Sequence, residues 1–114
     1  MKLHFEAIEI EVIQNQFNIL LIGFYTEENY LSFQKGMDTE DLYYIERDDQ
    51  SYSGYGGVES ISLSPQQIEV ELDEAGKENL ECDSVTVDFE TDDETYQLLS
   101  KKLKFVFGDS LIIN

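Results

Sequence analysis

Hydrophobic and polar residues alternate along most of residues 1–90, the pattern of half-buried β-strands. In "CDSVTVDFE", for example, Val85, Val87 and Phe89 fall on one face. Between residues 3 and 12 the apolar positions change phase after Ala7, which predicts a β-bulge near Ala7–Ile8. The predicted strands span residues 3–12, 17–25, 28–36, 41–47, 58–64, 67–72 and 82–90, with a short last strand in "SLIIN".

The segments between these strands are predicted as turns and loops. Residues 48–57, "DDQSYSGYGG", contain three glycines and predict a wide turn or bulge with positive φ at one or more of Gly54, Gly56 and Gly57. Residues 64–67 predict a turn that joins two strands. Residues 74–81, "EAGKENLE", predict a loop or a single helical turn.

The period changes from two to that of a helix after residue 90. Thr91 and Glu94 have the spacing of a capping box, and Gly108 is placed to end a helix. Apolar residues recur at helical spacing between them, at Tyr96, Leu99, Leu103 and Val106. The sequence therefore predicts a helix over residues 92–106. The expected fold is α+β: a mostly antiparallel β-sheet with one amphipathic C-terminal helix packed on it, in a single domain over residues 1–114.

The charge of the chain is strongly acidic and unevenly distributed. It has 25 Asp and Glu against seven Lys and Arg, a formal net charge of −18, and residues 36–96 carry −17 of it. Such a field repels nucleic acid and anionic membranes and speeds association with a basic partner, although solubility alone accounts for it equally well. Seven Phe and seven Tyr argue against disorder. The N-terminus lacks a signal-peptide pattern, and the apolar run 17–25 is too short to span a bilayer, so we expect a soluble cytoplasmic protein.

Residues typical of catalysis or metal binding are scarce. Cys82 is alone, which excludes an intramolecular disulfide and a cysteine-based zinc site, and His4 is the only histidine. The glycine-rich segment lacks the lysine and the spacing of a phosphate-binding loop. The acids of residues 88–94 raise the question of calcium, but helix-start acids explain them better. We therefore expect no enzymatic activity, no cofactor and no metal.

Tyrosines and acids concentrate between residues 43 and 59. Tyrosine is enriched at protein interfaces, and flanking carboxylates accept hydrogen bonds from Arg and Lys. Tyr43 and Tyr44 point to opposite faces of a strand, so one of them belongs to the core, whereas Tyr52 and Tyr55 are expected to be exposed in the loop. The predicted partner-binding residues are Tyr44, Glu46, Asp48, Asp49, Tyr52, Tyr55 and Glu59.

The segments "YLSFQK", "YYIERDDQSYSGYGGVESISLSPQQIEVELDE" and "VTVDFETDDETYQLLSKKLKFVFG" resemble the immunity protein 10 family of bacterial polymorphic toxin systems. The resemblance covers roughly residues 30–108. Its most specific features are the strand ending in Glu46 with Asp48, Asp49 and Gln50, the Gly56–Gly57 step and the hairpin from Leu63 to Leu72. It implies a small, non-enzymatic cytosolic protein that binds and neutralises a cognate toxin. It supplies no toxin-contact residues.

Together, the residues and the resemblance predict an immunity protein that blocks the active cleft of a basic toxin, such as a nuclease, with an acidic, tyrosine-rich surface. The expected partner is a protein, not nucleic acid or a membrane. Pairing of the "LIIN" end with a second copy is left open. Two alternatives remain: an acidic module that binds a divalent ion such as Ca²⁺, and a nucleic-acid mimic whose spaced carboxylates imitate phosphates.

Overall fold

The computed structural model describes residues 1–38, 40 and 42–114, and these form two five-stranded β-sheets and two α-helices. Sheet A has the strand order β1-β9-β8-β7-β10, and sheet B has the order β2-β3-β4-β5-β6. The strands are β1 (Lys2–Glu6), β2 (Glu9–Gln14), β3 (Ile19–Tyr25), β4 (Tyr30–Gly36), β5 (Tyr44–Arg47), β6 (Asp49–Tyr55), β7 (Val58–Ser64), β8 (Gln67–Leu72), β9 (Ser84–Asp88) and β10 (Leu111–Ile113). The helices are α1 (Glu74–Leu80) and α2 (Asp93–Phe107), and α2 is followed by a 3₁₀ turn at Gly108–Ser110.

Strand pairing is mostly antiparallel, which confirms the predicted α+β class. Sheet B is antiparallel throughout. In sheet A, β1 pairs parallel to β9 and β10 pairs parallel to β7. The C-terminal "LII" is thus a strand, as predicted, and it pairs within its own chain. The expected single sheet is wrong, because the alternation along each strand does not report which sheet the strand joins.

The phase change at Ala7 marks a crossing between the two sheets. The Ala7 N–H donates to the carbonyl of Asp88 in sheet A, and the next N–H, that of Ile8, donates to the carbonyl of Tyr25 in sheet B. The sheets face each other across one core, so the side of the strand that points inward changes when the chain passes from one to the other. The predicted strand 3–12 with a bulge is therefore two strands.

One hydrophobic core fills the space between the inner faces of the sheets. Its largest fully buried side chains are Leu20, Ile22, Phe24, Leu31, Phe33, Ile45, Ile61, Leu63, Ile68, Leu72, Leu80 and Leu99. The rings of Phe24 in sheet B and Phe89, just after β9, lie 5.5 Å apart. Burial of apolar side chains from both sheets in one cluster holds the sheets together.

Helix α2 contributes its apolar stripe to the same core. Leu99, Leu103 and Phe107 are buried, and the Phe107 ring lies 5.1 Å from Phe33 and 4.7 Å from Tyr43. The helix occupies residues 93–107 rather than 92–106. The predicted capping box is wrong: Asp92, not Thr91, is the N-cap, and its Oδ1 accepts from the Thr95 N–H at 2.7 Å. Asp is among the preferred N-cap residues, and Asp92 satisfies one of the orphan N–H groups of the first turn. Gly108 ends the helix, as predicted.

Helix α1 lies where a loop or a single helical turn was predicted, and strand β6 lies where a wide turn or bulge was predicted. Residues 74–80 form a helix capped by Asp73, whose Oδ1 accepts from the Gly76 N–H at 2.9 Å. Residues 49–55 form an edge strand of sheet B instead of a loop. The prediction of positive φ is confirmed at Gly56 (71°) and Gly57 (95°). The predicted strand 41–47 begins at Tyr44, and its first predicted residue, Asp41, lies outside the described residues.

Neither of the two helices in the described residues has the length and apolar character needed to cross a membrane.

Candidate protein-binding surface

The outer face of sheet B, called here the tyrosine face, consists of side chains that point away from the core. The register aligns them in rows, because cross-strand partners project to the same side of a sheet. One row joins Ile13, Leu21, Gln34, Tyr44 and Tyr55. A second joins Glu11, Gly23, Ser32, Glu46 and Ser53, and a third joins Glu9, Tyr25 and Tyr30.

Both helices pack on the opposite, inner side of sheet B. Phe107 of α2 contacts Phe33, a buried inner residue of β4. Asn79 of α1 lies against Gly54, the cross-strand partner of buried Ile45. Of the elements that the structure describes, none therefore covers the tyrosine face. One face of an antiparallel sheet is commonly left to solvent in this way, and here it carries rings as well as charges.

Tyrosine hydroxyls hold two glutamates of this face in position. Glu46 Oε1 accepts a hydrogen bond from Tyr44 at 2.6 Å, and Glu46 Oε2 accepts another from Tyr30. Glu11 Oε1 accepts from the Tyr25 hydroxyl at 3.2 Å. A carboxylate fixed by two hydroxyl donors loses little conformational freedom when it meets a partner, so Glu46 is preorganised for binding.

The same neighbours keep the phenols protonated. Partial burial, followed by the charge of Glu11, raises the pKa of Tyr25 to about 12. Partial burial and the hydrogen bond to Glu46 raise the pKa of Tyr30, and they raise the pKa of Tyr44 against an opposing hydrogen bond with Ser53. Each hydroxyl is therefore a donor to a carboxylate at neutral pH.

Gly23 makes room for this arrangement. A Cβ at residue 23 would lie 2.3 Å from the Tyr25 hydroxyl, so the Tyr25 ring lies across the position that a larger residue would occupy. Glycine inside a strand commonly marks a close approach of this kind. The Tyr25 hydroxyl thereby reaches Glu11, the cross-strand partner of Gly23.

A cavity of about 590 Å³ opens at one corner of the tyrosine face. Tyr44 and Tyr55 form one wall, with ring centroids 5.4 Å apart in an edge-to-face arrangement. Phe17 and Leu42 line the cavity although they are 73% and 65% exposed. Glu46 and Asp38 contribute carboxylates. The cavity thus combines exposed apolar surface with negative charge.

The predicted partner-binding residues separate into four groups. Tyr44, Glu46 and Tyr55 meet on the tyrosine face, and Tyr55 is 69% exposed, as expected. Asp49 is exposed at the start of β6. Asp48 and Tyr52 instead contact Arg47, and Glu59 is exposed on β7 in sheet A, away from the others.

Arg47 accounts for the positions of Asp48 and Tyr52. This buried arginine donates from Nε to the Leu80 carbonyl at 2.8 Å and from Nη1 to Asp48 Oδ2 at 3.1 Å. Its guanidinium lies 3.9 Å from the centroid of the Tyr52 ring. Tyr52 is half-buried in a strand, so its expected exposure in a loop is wrong. Tyr52 lies on the same side of β6 as Gly54, the cross-strand partner of buried Ile45, so alternation directs its ring to the inner side, where Arg47 also lies.

Sequence reasoning missed several residues of this surface, namely Glu11, Phe17, Tyr25, Tyr30 and Leu42. Tyr25 and Tyr30 had a detectable signal. They stand on the strand parity opposite to Phe24 and Leu31, which belong to the core, so alternation places both rings outside. Phe17 and Leu42 lie inside the predicted strands 17–25 and 41–47, but the observed strands begin only at Ile19 and Tyr44, so strand alternation does not govern where these two side chains lie.

The acidic stretch 88–94 has partners within the fold. Asp88 Oδ1 accepts from the Gln67 side chain at 2.7 Å, and Asp88 Oδ2 contacts His4 Nε2 at 2.6 Å; these hydrogen bonds lower the pKa of Asp88. The Thr95 N–H lowers the pKa of Asp92 in the same way. Within residues 1–38, 40 and 42–114, no group of three or more His, Cys, Asp or Glu side chains is arranged to hold a metal ion.

Comparison with known proteins identifies a family. The family model described as Immunity protein 10 matches residues 6–97 of the 114-residue chain. The match includes all of sheet B and reaches further toward the N-terminus than the resemblance read from the sequence. No curated protein matches the chain, and no solved structure matches it.

Proposed function

The chain belongs to the immunity protein 10 family, and from this premise we propose that it binds and neutralises a basic protein toxin through the tyrosine face. The toxin's active cleft is blocked sterically by this acidic, aromatic surface, and the chain itself performs no chemistry. A nuclease suits this proposal, because its cleft is basic in order to bind phosphates.

The observation that carries the proposal is the uncovered outer face of sheet B. It presents three ring-bearing positions beside carboxylates, at Tyr25, Tyr30 and Tyr44, and an exposed fourth ring at Tyr55. Buried aromatic anchors dominate the energy of protein interfaces, whereas flanking charges mainly increase the association rate. The chain's net charge of −18 supplies that steering for a basic partner.

The test begins with the partner and ends with neutralisation. The tagged chain is incubated with lysate of the producing bacterium, and a protein that survives a high-salt wash is identified. That protein is then expressed in an indicator strain with and without the chain. We expect growth to stop when it is expressed alone and to recover when the chain is present. A captured protein that is harmless alone, or that the chain does not neutralise, contradicts the proposal.

Two matched variants test the face. Tyr55→Ala removes an exposed ring from the tyrosine face, and Phe105→Ala removes an exposed ring from α2. We expect Tyr55→Ala to raise the dissociation rate about tenfold or more, since tyrosines that act as interface hot spots contribute about 2 kcal/mol, and Phe105→Ala to leave it unchanged. The opposite ranking would move the interface away from the tyrosine face.

A further inference from the structure

We propose that the cavity at the Tyr55 corner of the tyrosine face takes one arginine side chain of the toxin, with its guanidinium on Glu46. This inference rests on the proposed function and names the chemistry that the cavity selects. At about 590 Å³ the cavity falls within the roughly 300–1,000 Å³ of sites that enclose a small ligand. A side chain and its flanking backbone can therefore enter together.

Glu46 supplies the charged contact. Each of its carboxylate oxygens already accepts one tyrosine hydroxyl, from Tyr44 on Oε1 and from Tyr30 on Oε2. A carboxylate has about four acceptor positions, so each oxygen retains one for a further donor. A bidentate arginine donates two parallel N–H groups, one to each oxygen of a carboxylate, and Glu46 can accept both. The tyrosines fix the carboxylate in advance, which lowers the ordering cost of that contact.

Tyr44, Tyr55 and Leu42, which line the cavity, provide contacts for the guanidinium plane and the methylene groups of an arginine side chain. Guanidinium groups stack on tyrosine rings, and this chain already shows such a contact between Arg47 and Tyr52 at 3.9 Å. The exposed side chain of Leu42 offers apolar surface to the methylene stem of a basic residue. Tyr44 and Tyr55 supply the rings.

Charge selects against other occupants. The carboxylates of Glu46 and Asp38 line the cavity and repel an anionic side chain. Lys35 also lines it, but its ammonium lies 6.0 Å from the ring centroid of Phe105 on α2. A lysine of the toxin lacks the planar pair of donors that matches Glu46. Arginine is thus the side chain that uses the rings and the carboxylate together.

The experiment titrates the intact protein with blocked arginine, N-acetyl-arginine methylamide, and follows ring and backbone resonances by NMR. The comparison probes are the same derivatives of citrulline, which has arginine's shape without its charge, and of norleucine, which is apolar. We expect saturable shifts concentrated at Tyr44, Tyr55 and Glu46, with affinity for the arginine probe about tenfold above that for citrulline. Equal binding of citrulline or norleucine would overturn the proposal, as would shifts spread over the whole acidic surface or no saturable shift.

Glu46→Gln and Glu69→Gln form a matched pair, since Glu69 lies exposed in sheet A. Glu46→Gln should weaken the arginine probe about fivefold, and Glu69→Gln should leave it unchanged. Tyr55→Ala is the second test, because removal of an exposed ring leaves the core intact; it should weaken the probe as well. An unaltered affinity in both Glu46→Gln and Tyr55→Ala would overturn the assignment. The NMR titration contains no toxin, so a negative result overturns the arginine assignment and leaves the proposed neutralisation untouched. Failure of the proposed neutralisation is detected separately, as absence of growth rescue in the indicator strain.

Discussion

At the scale of single residues, Arg47 joins three parts of the fold. It binds the end of α1 through the Leu80 carbonyl, the residue after β5 through Asp48, and β6 through the Tyr52 ring. Asp48 is engaged on its other oxygen too, since Oδ1 accepts from the Tyr30 N–H at 2.9 Å. In an acidic chain, this cation is a structural residue buried among its partners, and the acid beside it is a poor probe of toxin binding.

Replacement of Arg47 by Met should therefore destabilise the protein. The change removes the donor to Asp48 Oδ2 and to the Leu80 carbonyl, and breaking a buried pair costs about 3 kcal/mol. Urea unfolding measures the loss. Lys77→Met is the control, because Lys77 lies 3.7 Å from an exposed Glu74, and exposed pairs contribute less than about 1 kcal/mol. Similar losses in both variants would show that Arg47 is not the structural link described.

The raised pKa of Tyr25 predicts that the folded protein is less stable at alkaline pH. Its pKa is raised from 10.0 to about 12 in the folded chain, so the fold favours the neutral phenol. The resulting stabilisation is complete below pH 10 and is lost as pH rises through about 12. The free energy of unfolding should fall over that interval, and Tyr25→Phe should make the fall shallower. If the exposed-ring variant Tyr55→Phe flattens the curve as much, Tyr25 is not the cause.

At the scale of elements, alternation found most strands and the C-terminal helix but not how they assemble. Val85, Val87 and Phe89 show why it succeeds: each strand buries alternate residues whichever sheet it joins. Strand β6 was missed because its sequence "DQSYSGY" has no apolar alternation, and its pairing with β5 includes a register shift beside Arg47. The site was predicted only in part, because strand pairing cannot be read from alternation. Tyr44, Glu46 and Tyr55, which are near each other in sequence, were predicted and do meet, whereas Tyr25 and Tyr30 come from strands earlier in the chain and were not predicted.

Helix α1 is placed by contact between two glycines, which predicts the effect of a small substitution. At an exposed helical site, Gly→Ala stabilises by about 1 kcal/mol. At Gly76, however, a Cβ would lie 2.1 Å from the carbonyl oxygen of Gly57. Gly57 itself has a φ of 95°, so its backbone cannot easily shift to make room. Gly76→Ala should therefore destabilise by about 1–3 kcal/mol in thermal or urea unfolding.

The control for this position is Glu78→Ala, an exposed site on the same helix. It should change stability by no more than about 0.5 kcal/mol. A Gly76→Ala protein as stable as the parent would mean that α1 shifts at no cost, and that the glycine contact does not position it.

At the scale of the whole molecule, the charge of −18 is shared by both sheets. Sheet A also carries exposed carboxylates, at Glu69 and Glu71. Total charge alone would draw a basic toxin toward either sheet, so productive orientation has to come from the local field at the tyrosine face. Attraction by the net charge of the chain is therefore a different effect from orientation by the local charge at the tyrosine face.

Two glutamines allow these effects to be separated, because each can be changed to lysine without removing a carboxylate. Gln50 is exposed at the cavity, and Gln66 is exposed in the hairpin between β7 and β8 of sheet A. Both variants change the net charge equally. With the toxin identified as above, we expect Gln50→Lys to slow association about threefold at low ionic strength and Gln66→Lys to slow it little. The difference should disappear near 1 M salt, where the Debye length is about 3 Å. Equal slowing in stopped-flow measurements would mean that net charge alone guides the toxin, and that the tyrosine face acts only after contact.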